Sequence, residues 1–199
     1  MDRVFLMLLP LMLGVILQQN VAMGYIHIRG GVPIKMQVNN KFEPNNPLIE
    51  KACANAKHKE SCILTLKSFP ESKTADMKKL AFLFLNTTKS LGLEIATWVG
   101  DKLEDQESMG PGIDQALTDC NDQYTDAMAQ LEDSLVAFFS NSYKDVNTWM
   151  TTAIKNAESC EESLKKGNAV DVMGNRNKMF VQHCSNALAV VNVLAQTKP

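Results

Sequence analysis

IDQALTDCNDQYTDAMAQLEDSLVAF, residues 113–138, reads as one long helix with one apolar stripe: Ile113, Leu117, Cys120, Tyr124, Ala127, Leu131, Leu135 and Phe138. Steps of three and four residues keep those side chains on a single helix face, while Asp, Asn, Gln and Thr fill the opposite one. Gly110-Pro111-Gly112 breaks the chain ahead of it. The same periodicity recurs three more times. Thr74 to Glu104 carries Met77, Ala81, Phe84, Thr88, Leu91, Ile95 and Trp98, with Ser72 or Thr74 as the expected cap. Gly92 falls inside this segment, at a cost of about 1 kcal/mol relative to Ala. A third stripe is Val146, Met150, Ala153, Ala157, Cys160 and Leu164, ending near Gly167. The fourth is Met173, Phe180, Cys184, Ala187, Val191 and Leu194. Four one-sided helices joined by short breaks bury their stripes together. The expected fold is therefore all-α, an antiparallel up-down four-helix bundle over residues 72–196. No stretch alternates with period two for long enough to suggest a sheet.

Ahead of the bundle, Leu48 to Ala56 and Glu60 to Lys67 read as two short helical pieces forming a hairpin over 48–69. Neither is long enough to be stable alone. Residues 25–47 hold Gly30-Gly31, Pro33, Asn39-Asn40, Pro44 and Pro47 and read as an irregular arm. Residues 1–24 are a secretory signal: Arg3, then an apolar run from Val4 to Leu17, then the small residues of Ala22-Met23-Gly24. That run is shorter than the roughly 20 residues a membrane span needs, and Pro10 interrupts it. The mature chain is expected outside the cell, with no membrane association once the signal is removed.

Export makes the cysteines candidates for disulfides. There are five, Cys53, Cys62, Cys120, Cys160 and Cys184, and spacing alone does not select a pairing. The helix pattern does: Cys53–Cys62 would staple the hairpin, and Cys120–Cys160 would join two sequence-adjacent stripes. Cys184 then reads as a buried free thiol, with pairing between chains as the sharper alternative. Cys53, His58 and Cys62 lack a matched fourth ligand for zinc.

The 199 residues carry 20 Lys+Arg and 22 Asp+Glu, a net charge of -2, which argues against a nucleic-acid partner. At 45% hydrophobic and 21% charged, the chain is ordinary globular material. Of the three histidines, His27 lies in the arm, His58 in the hairpin and His183 on the last helix. No nucleophile elbow, P-loop, dinucleotide fingerprint or zincin motif is present. The di-iron signature fails because Asn55 and Phe180 stand where Glu is needed. Glu104, Asp105, Glu107 and the acids between Asp119 and Asp133 read as a solvated helix face. Phe82, Phe84, Trp98, Phe138, Phe139 and Phe180 read as core. Asn86-Thr87-Thr88 is a glycosylation sequon that export would make usable. No catalytic residue, metal or cofactor is expected; the chain reads as a non-enzyme that works by its surface.

From Leu48 to Ala195 the sequence resembles the plant invertase and pectin methylesterase inhibitor family. The matching features run in family order. They are Leu48-Ile49 ahead of Cys53, Cys62 leading into Leu64 and Leu66, and Ser72 to Leu80. Ala116-Leu117-Thr118-Asp119-Cys120 with Tyr124 and Ala127 follows, then Val146-Asn147-Thr148-Trp149-Met150 with Ala153 and Cys160-Glu161. Cys184-Ser185-Asn186-Ala187-Leu188-Ala189 closes the series. The family's disulfides, first to second and third to fourth, agree with the pairs above. The resemblance makes residues 48–199 an inhibitor domain and implies tight, non-covalent inhibition of an apoplastic carbohydrate enzyme. Invertase-directed members often carry Pro-Lys-Phe after the second bundle helix; here Ser142-Tyr143-Lys144-Asp145 stands there. That departure, with Trp149, points to pectin methylesterase as the protein partner, bound by a monomer, with acid invertase as the alternative. A secreted helical signalling bundle without an enzyme target is the remaining class. Candidate contacts are Asp119, Asp122, Gln123 and Asp126 on the second bundle helix. Tyr143, Lys144 and Asp145 at the following turn form the rival set.

Overall fold

The computed structural model describes residues 46–105 and 109–197. The signal expected over 1–24 and the irregular arm expected up to residue 45 lie outside the described residues. The described residues form six α-helices, α1 Pro47–Ala52, α2 Lys59–Lys67, α3 Met77–Glu104, α4 Pro111–Phe139, α5 Tyr143–Lys166 and α6 Arg176–Gln196, with a 3-10 turn at Pro70–Lys73. Among the described residues no strand occurs. No helix there is long and apolar enough to cross a membrane.

The four long helices form a closed ring of contacts in which α3 neighbours α4 and α6, and α5 neighbours the same two. Contacting pairs run in opposite directions along each neighbour. Lys89 of α3 pairs with Glu132 of α4, and Lys78 of α3 with Asn141 just past the end of α4. Asn147 meets Asn192, and Asn177 meets Glu161, across α5 and α6. This is the up-down antiparallel bundle. Phe84, Tyr124, Phe138, Phe180, Leu80, Leu117, Leu131 and Met150 are wholly enclosed in it.

Two asparagines tie the hairpin to the bundle. Asn46 accepts from the Leu48 amide and donates to the carbonyls of Ser72 and Ala75, at 2.7 and 2.8 Å. Asn186 of α6 donates to the carbonyl of His58 in the turn between α1 and α2. Asn46 and Pro47, placed in the irregular arm by sequence, are thus the cap and first residue of α1.

The start of α3 also differs from the sequence expectation. Its cap is Asp76, whose carboxylate accepts from the Lys79 amide at 2.7 Å. Ser72 is buried and donates to the Phe69 carbonyl, and Thr74 ends the 3-10 turn, so neither is free to cap. Met173 is buried but lies in the turn before α6 rather than on it. The α3 stripe is displaced as well: Gly92 and Val99 are buried, whereas Leu91 and Trp98 are only partly covered. The α3 helix is packed on two sides, so its buried face is wider than a single line of three-and-four steps.

Gly92 is there for packing. A Cβ at this position would lie 2.9 Å from Cε2 of Phe180, 3.0 Å from Sδ of Met128 and 3.2 Å from Cδ1 of Leu131. Gly100, on the same helix, has nothing within 4 Å of its would-be Cβ. Gly100→Ala is expected to stabilise by about 1 kcal/mol through helix propensity. Gly92→Ala is expected to lose that gain and about 1 kcal/mol more, because the overcrowding term of about 1–3 kcal/mol exceeds it. Thermal melts of the two variants should move in opposite directions; a matching rise in both would refute the packing argument.

Candidate functional site

On α4, Asp119, Asp122, Gln123 and Asp126 occupy two successive turns. Asp122 and Asp126 are exposed; Asp119 and Gln123 are half-buried beside the core seam. Gln115 donates to the Asp119 carboxylate at 2.9 Å, holding it along the helix. The rival set lies at the other end of α4. From Asp126 to the end of the helix is about 20 Å at 1.5 Å per residue, so the two sets are separate patches.

The α4–α5 turn is tight. Asn141 has φ 58°, a left-handed position that Asn tolerates well. Its carboxamide oxygen accepts from Lys78 Nζ at 2.8 Å and from the Tyr143 hydroxyl at 3.1 Å. The Tyr143 ring leans back on Phe138, with centroids 6.1 Å apart. Lys144 and Asp145 are exposed but already lie inside the first turn of α5. The turn therefore presents helix, with no projecting loop.

Cys53–Cys62 and Cys120–Cys160 are disulfides, and Cys184 is a buried thiol. Burial pushes the Cys184 thiol far up, away from the reactive thiolate. The bridge between Cys53 and Cys62 consumes the thiolates that a zinc site with His58 would need. His183 is partly buried against Phe84, its pKa lowered by desolvation, and its Nδ1 has no partner among the described residues. Among the described residues no three His, Cys, Asp or Glu side chains are grouped to hold a metal. Hydroxyls such as Ser90, Thr118 and Ser185 donate to carbonyls of their own helix rather than to a base. Asn86 is exposed on α3, while the Thr88 hydroxyl of its sequon is buried and donates to the Phe84 carbonyl.

A groove of about 690 Å³ runs between α5 and α6. Glu158, Glu161 and Glu162 line one side, Lys178 the other, with Lys165 and His58 also on its walls. At its base the Tyr124 hydroxyl donates to Asn177 at 2.7 Å, and Asn177 donates to Glu161 at 3.1 Å. Burial, with Cys184 and Glu161 nearby, raises the Tyr124 pKa and keeps the phenol protonated. This network satisfies its own polar groups and reads as a core element locking α4, α5 and α6 together.

The feature that the sequence concealed is hydrophobic. Leu135-Val136-Ala137-Phe138-Phe139 looks like continuous core, yet Val136 is 66% and Phe139 62% exposed. Phe82 of α3 packs on Phe139 with centroids 5.6 Å apart. Trp98, also read as core, is stacked at the surface under Arg176, 4.0 Å from ring centre to guanidinium carbon. Helical spacing carries a weak signal for Val136 and Phe139, which fall one residue off the α4 stripe, and none for Trp98, which falls on the α3 stripe.

The described residues thus form a disulfide-stapled helical bundle. A family model for plant invertase/pectin methylesterase inhibitors matches residues 47–190, and the chain belongs to that family. A "Putative invertase inhibitor" of Platanus orientalis is 30% identical over 67% of this chain and 78% of its own. "Pectinesterase inhibitor 10" of Arabidopsis thaliana is 27% identical over 78% of this chain and 54% of its own. Among solved structures, a mutant form of a pectin methylesterase inhibitor from Arabidopsis superposes with a TM-score of 0.61. It is 22% identical, covering 70% of this chain and 92% of that one, a likeness of fold.

Proposed function

We propose that the protein is an exported inhibitor of plant cell-wall pectin methylesterase, bound one to one and non-covalently over the enzyme's substrate cleft. The α4–α5 turn is the observation that carries the choice of target. Invertase-directed relatives are expected to insert Pro-Lys-Phe from this place. Here Tyr143 is folded onto Phe138 and Asn141, and Lys144 is already helical. No side chain of this turn is poised to probe a deep active site, so a broad helical face suits this chain better than a finger. A standard interface needs about 800 Å² from each partner. Two disulfides hold that area with little ordering cost on binding. The segment 1–24 directs the chain along the secretory route to the apoplast, and the exposed Asn86 can take a glycan on the way. Acid invertase is the second reading, favoured by the 30% identity to the Platanus orientalis protein named as an invertase inhibitor.

Titration of the oxidised mature protein against a plant pectin methylesterase and a plant acid invertase separates the readings. Inhibition of the esterase alone, saturating near one to one, is the expected result. Inhibition of invertase alone would transfer the function to the second reading, and silence against both would remove both. Lys144→Glu refines the outcome. It places an anion at the N-terminus of α5, which is mildly favourable to the fold, so weaker inhibition would not reflect unfolding. We expect an inhibition constant raised about three- to tenfold, mainly through association rate. An unchanged constant would take the turn out of the interface.

A further inference from the structure

We infer that the ledge formed by Phe82, Val136 and Phe139, flanked by Lys78 and Lys79, is a docking surface for the inhibited enzyme. The complementary site on that enzyme would be an apolar recess rimmed by carboxylates. The inference rests on the inhibitory reading above and extends it to a surface that neither candidate set contains.

Three observations meet here. The first is exposure. Val136 and Phe139 are 66% and 62% exposed and lie one turn apart on α4, and Phe139 packs against Phe82 of α3. Two adjacent, largely exposed apolar side chains backed by a packed ring make a contiguous patch rather than scattered surface residues. The second is rigidity. Phe139 packs edge-on to the enclosed Phe138 at 5.7 Å, and Phe82 contacts both rings, at 6.5 and 5.6 Å. An aromatic anchor held this way loses little entropy on binding, the property of interface hot spots.

The third is charge. Lys79 Nζ lies 5.2 Å from the Phe82 ring centre and Lys78 Nζ 5.9 Å from that of Phe138. Lys78 is steadied by Asn141. Neither lysine has a carboxylate partner among the described residues. Asp76, two residues before Lys78, is engaged in capping α3. The two cations are therefore available to acids on a partner, and they set its chemistry.

The ledge also adjoins the α4–α5 turn, because Asn141 bridges Lys78 to Tyr143. One partner can cover both. A second copy of this chain fits less well: a two-fold contact centred on Phe139 would face the same lysines with each other. An acidic polysaccharide fits less well too, since the Phe82 and Phe139 rings are tilted by 49° and offer no flat platform.

The test uses the mature, oxidised protein and the wall enzyme that the wild type inhibits. Val136→Ala/Phe139→Ala and Lys79→Glu are each expected to raise the inhibition constant at least tenfold. Lys79→Glu should also flatten its dependence on salt. Leu64→Ala, which removes an equally exposed apolar side chain from the hairpin, should leave the constant unchanged. Circular dichroism and melting temperature check that each variant is folded, which truncation at exposed sites should preserve. Inhibition by the ledge variants equal to wild type, from a wild type that does inhibit, rejects the ledge and leaves the function standing. A wild type silent against both enzymes removes the function and this partner with it. A wild-type dimer that dissociates on Phe139→Ala alone would assign the ledge to a second copy and overturn the proposal.

Discussion

Gly167→Ala is expected to lower stability by about 3 kcal/mol, the upper end of the range for overpacking. In a chain of this size that is a fall of roughly 6–12 °C in melting temperature. Conformational freedom is not the reason. Gly167 caps α5 at φ -80° and ψ 1°, which any residue adopts. The reason is a near collision between helix ends. A Cβ on Gly167 would run into the carbonyl oxygen of Gly112 and lie 3.0 Å from Cβ of Ala116. The obstacle is backbone in the first turns of α4, which no rotamer change relieves. The α4 and α5 helices would have to part.

The reverse substitution separates this from a general intolerance of side chains. At Gly112 a Cβ would meet the Gly167 carbonyl oxygen at 3.1 Å, a contact that a small shift relieves. Gly112→Ala should therefore cost under about 1 kcal/mol. Urea unfolding of both oxidised variants decides the matter. A Gly167→Ala protein within about 0.5 kcal/mol of wild type, the range of ordinary surface substitutions, would mean that the helices do not approach as closely as described. The consequence reaches the surface, since the seam between α4 and α5 sets the register of Asp119, Asp122 and Asp126 relative to Lys144 and Asp145.

This seam was partly legible in the sequence. Ala116, Cys120 and Ala127 on α4 and Ala153, Ala157 and Cys160 on α5 are small residues at helical spacing, and all six are buried. Periodicity identified the α5 stripe in full, because α5 is amphipathic with one narrow face. It did less well on α3, where two neighbours and the hairpin bury Leu80, Leu83 and Leu85 beside the stripe. The cap of α3 was misplaced because Ser72, Thr74 and Asp76 are all capable cap residues. Only the Pro70 turn, which uses the first two, leaves the third to serve.

The candidate surface was legible only in chemical type. Exposed acids on α4 follow from the pattern, but an exposed phenylalanine does not. Leu135 to Phe139 is apolar at every position, so composition within it is silent, and the one-residue offset from the stripe is a weak signal. The α4 helix ends at Phe139, and the last turn has bundle on one side only. Val136 and Phe139 therefore point outward despite their composition. Tertiary context, which a single sequence does not carry, decided their exposure.

Removing the bridge between α4 and α5 is the other change with a large expected effect. Cys120 and Cys160 are 40 residues apart in sequence, and both are wholly buried. Freeing a loop of that length returns chain entropy to the unfolded state worth about 4 kcal/mol. A domain of this kind has about 5–15 kcal/mol in all. The double variant Cys120→Ala/Cys160→Ala should melt roughly 10 °C lower, and alanines avoid leaving a lone thiol to pair wrongly. Inhibition should weaken alongside, because the binding face is then ordered by the partner rather than by the bridge. Cys53→Ala/Cys62→Ala should behave differently. The two residues lie only 9 apart, so the entropic term falls to about 3 kcal/mol. Its loss is confined to α1 and α2, helices of 6 and 9 residues that depend on the staple. Asn46 and Asn186 still anchor them to the bundle. Hydrogen exchange should therefore show faster opening of residues 47–67, with α4 and α5 protected as before. A bundle that melts equally early in both double variants would mean that the hairpin is part of the cooperative core. The Cys120–Cys160 bridge would then have no special claim on the geometry of the inhibitory face.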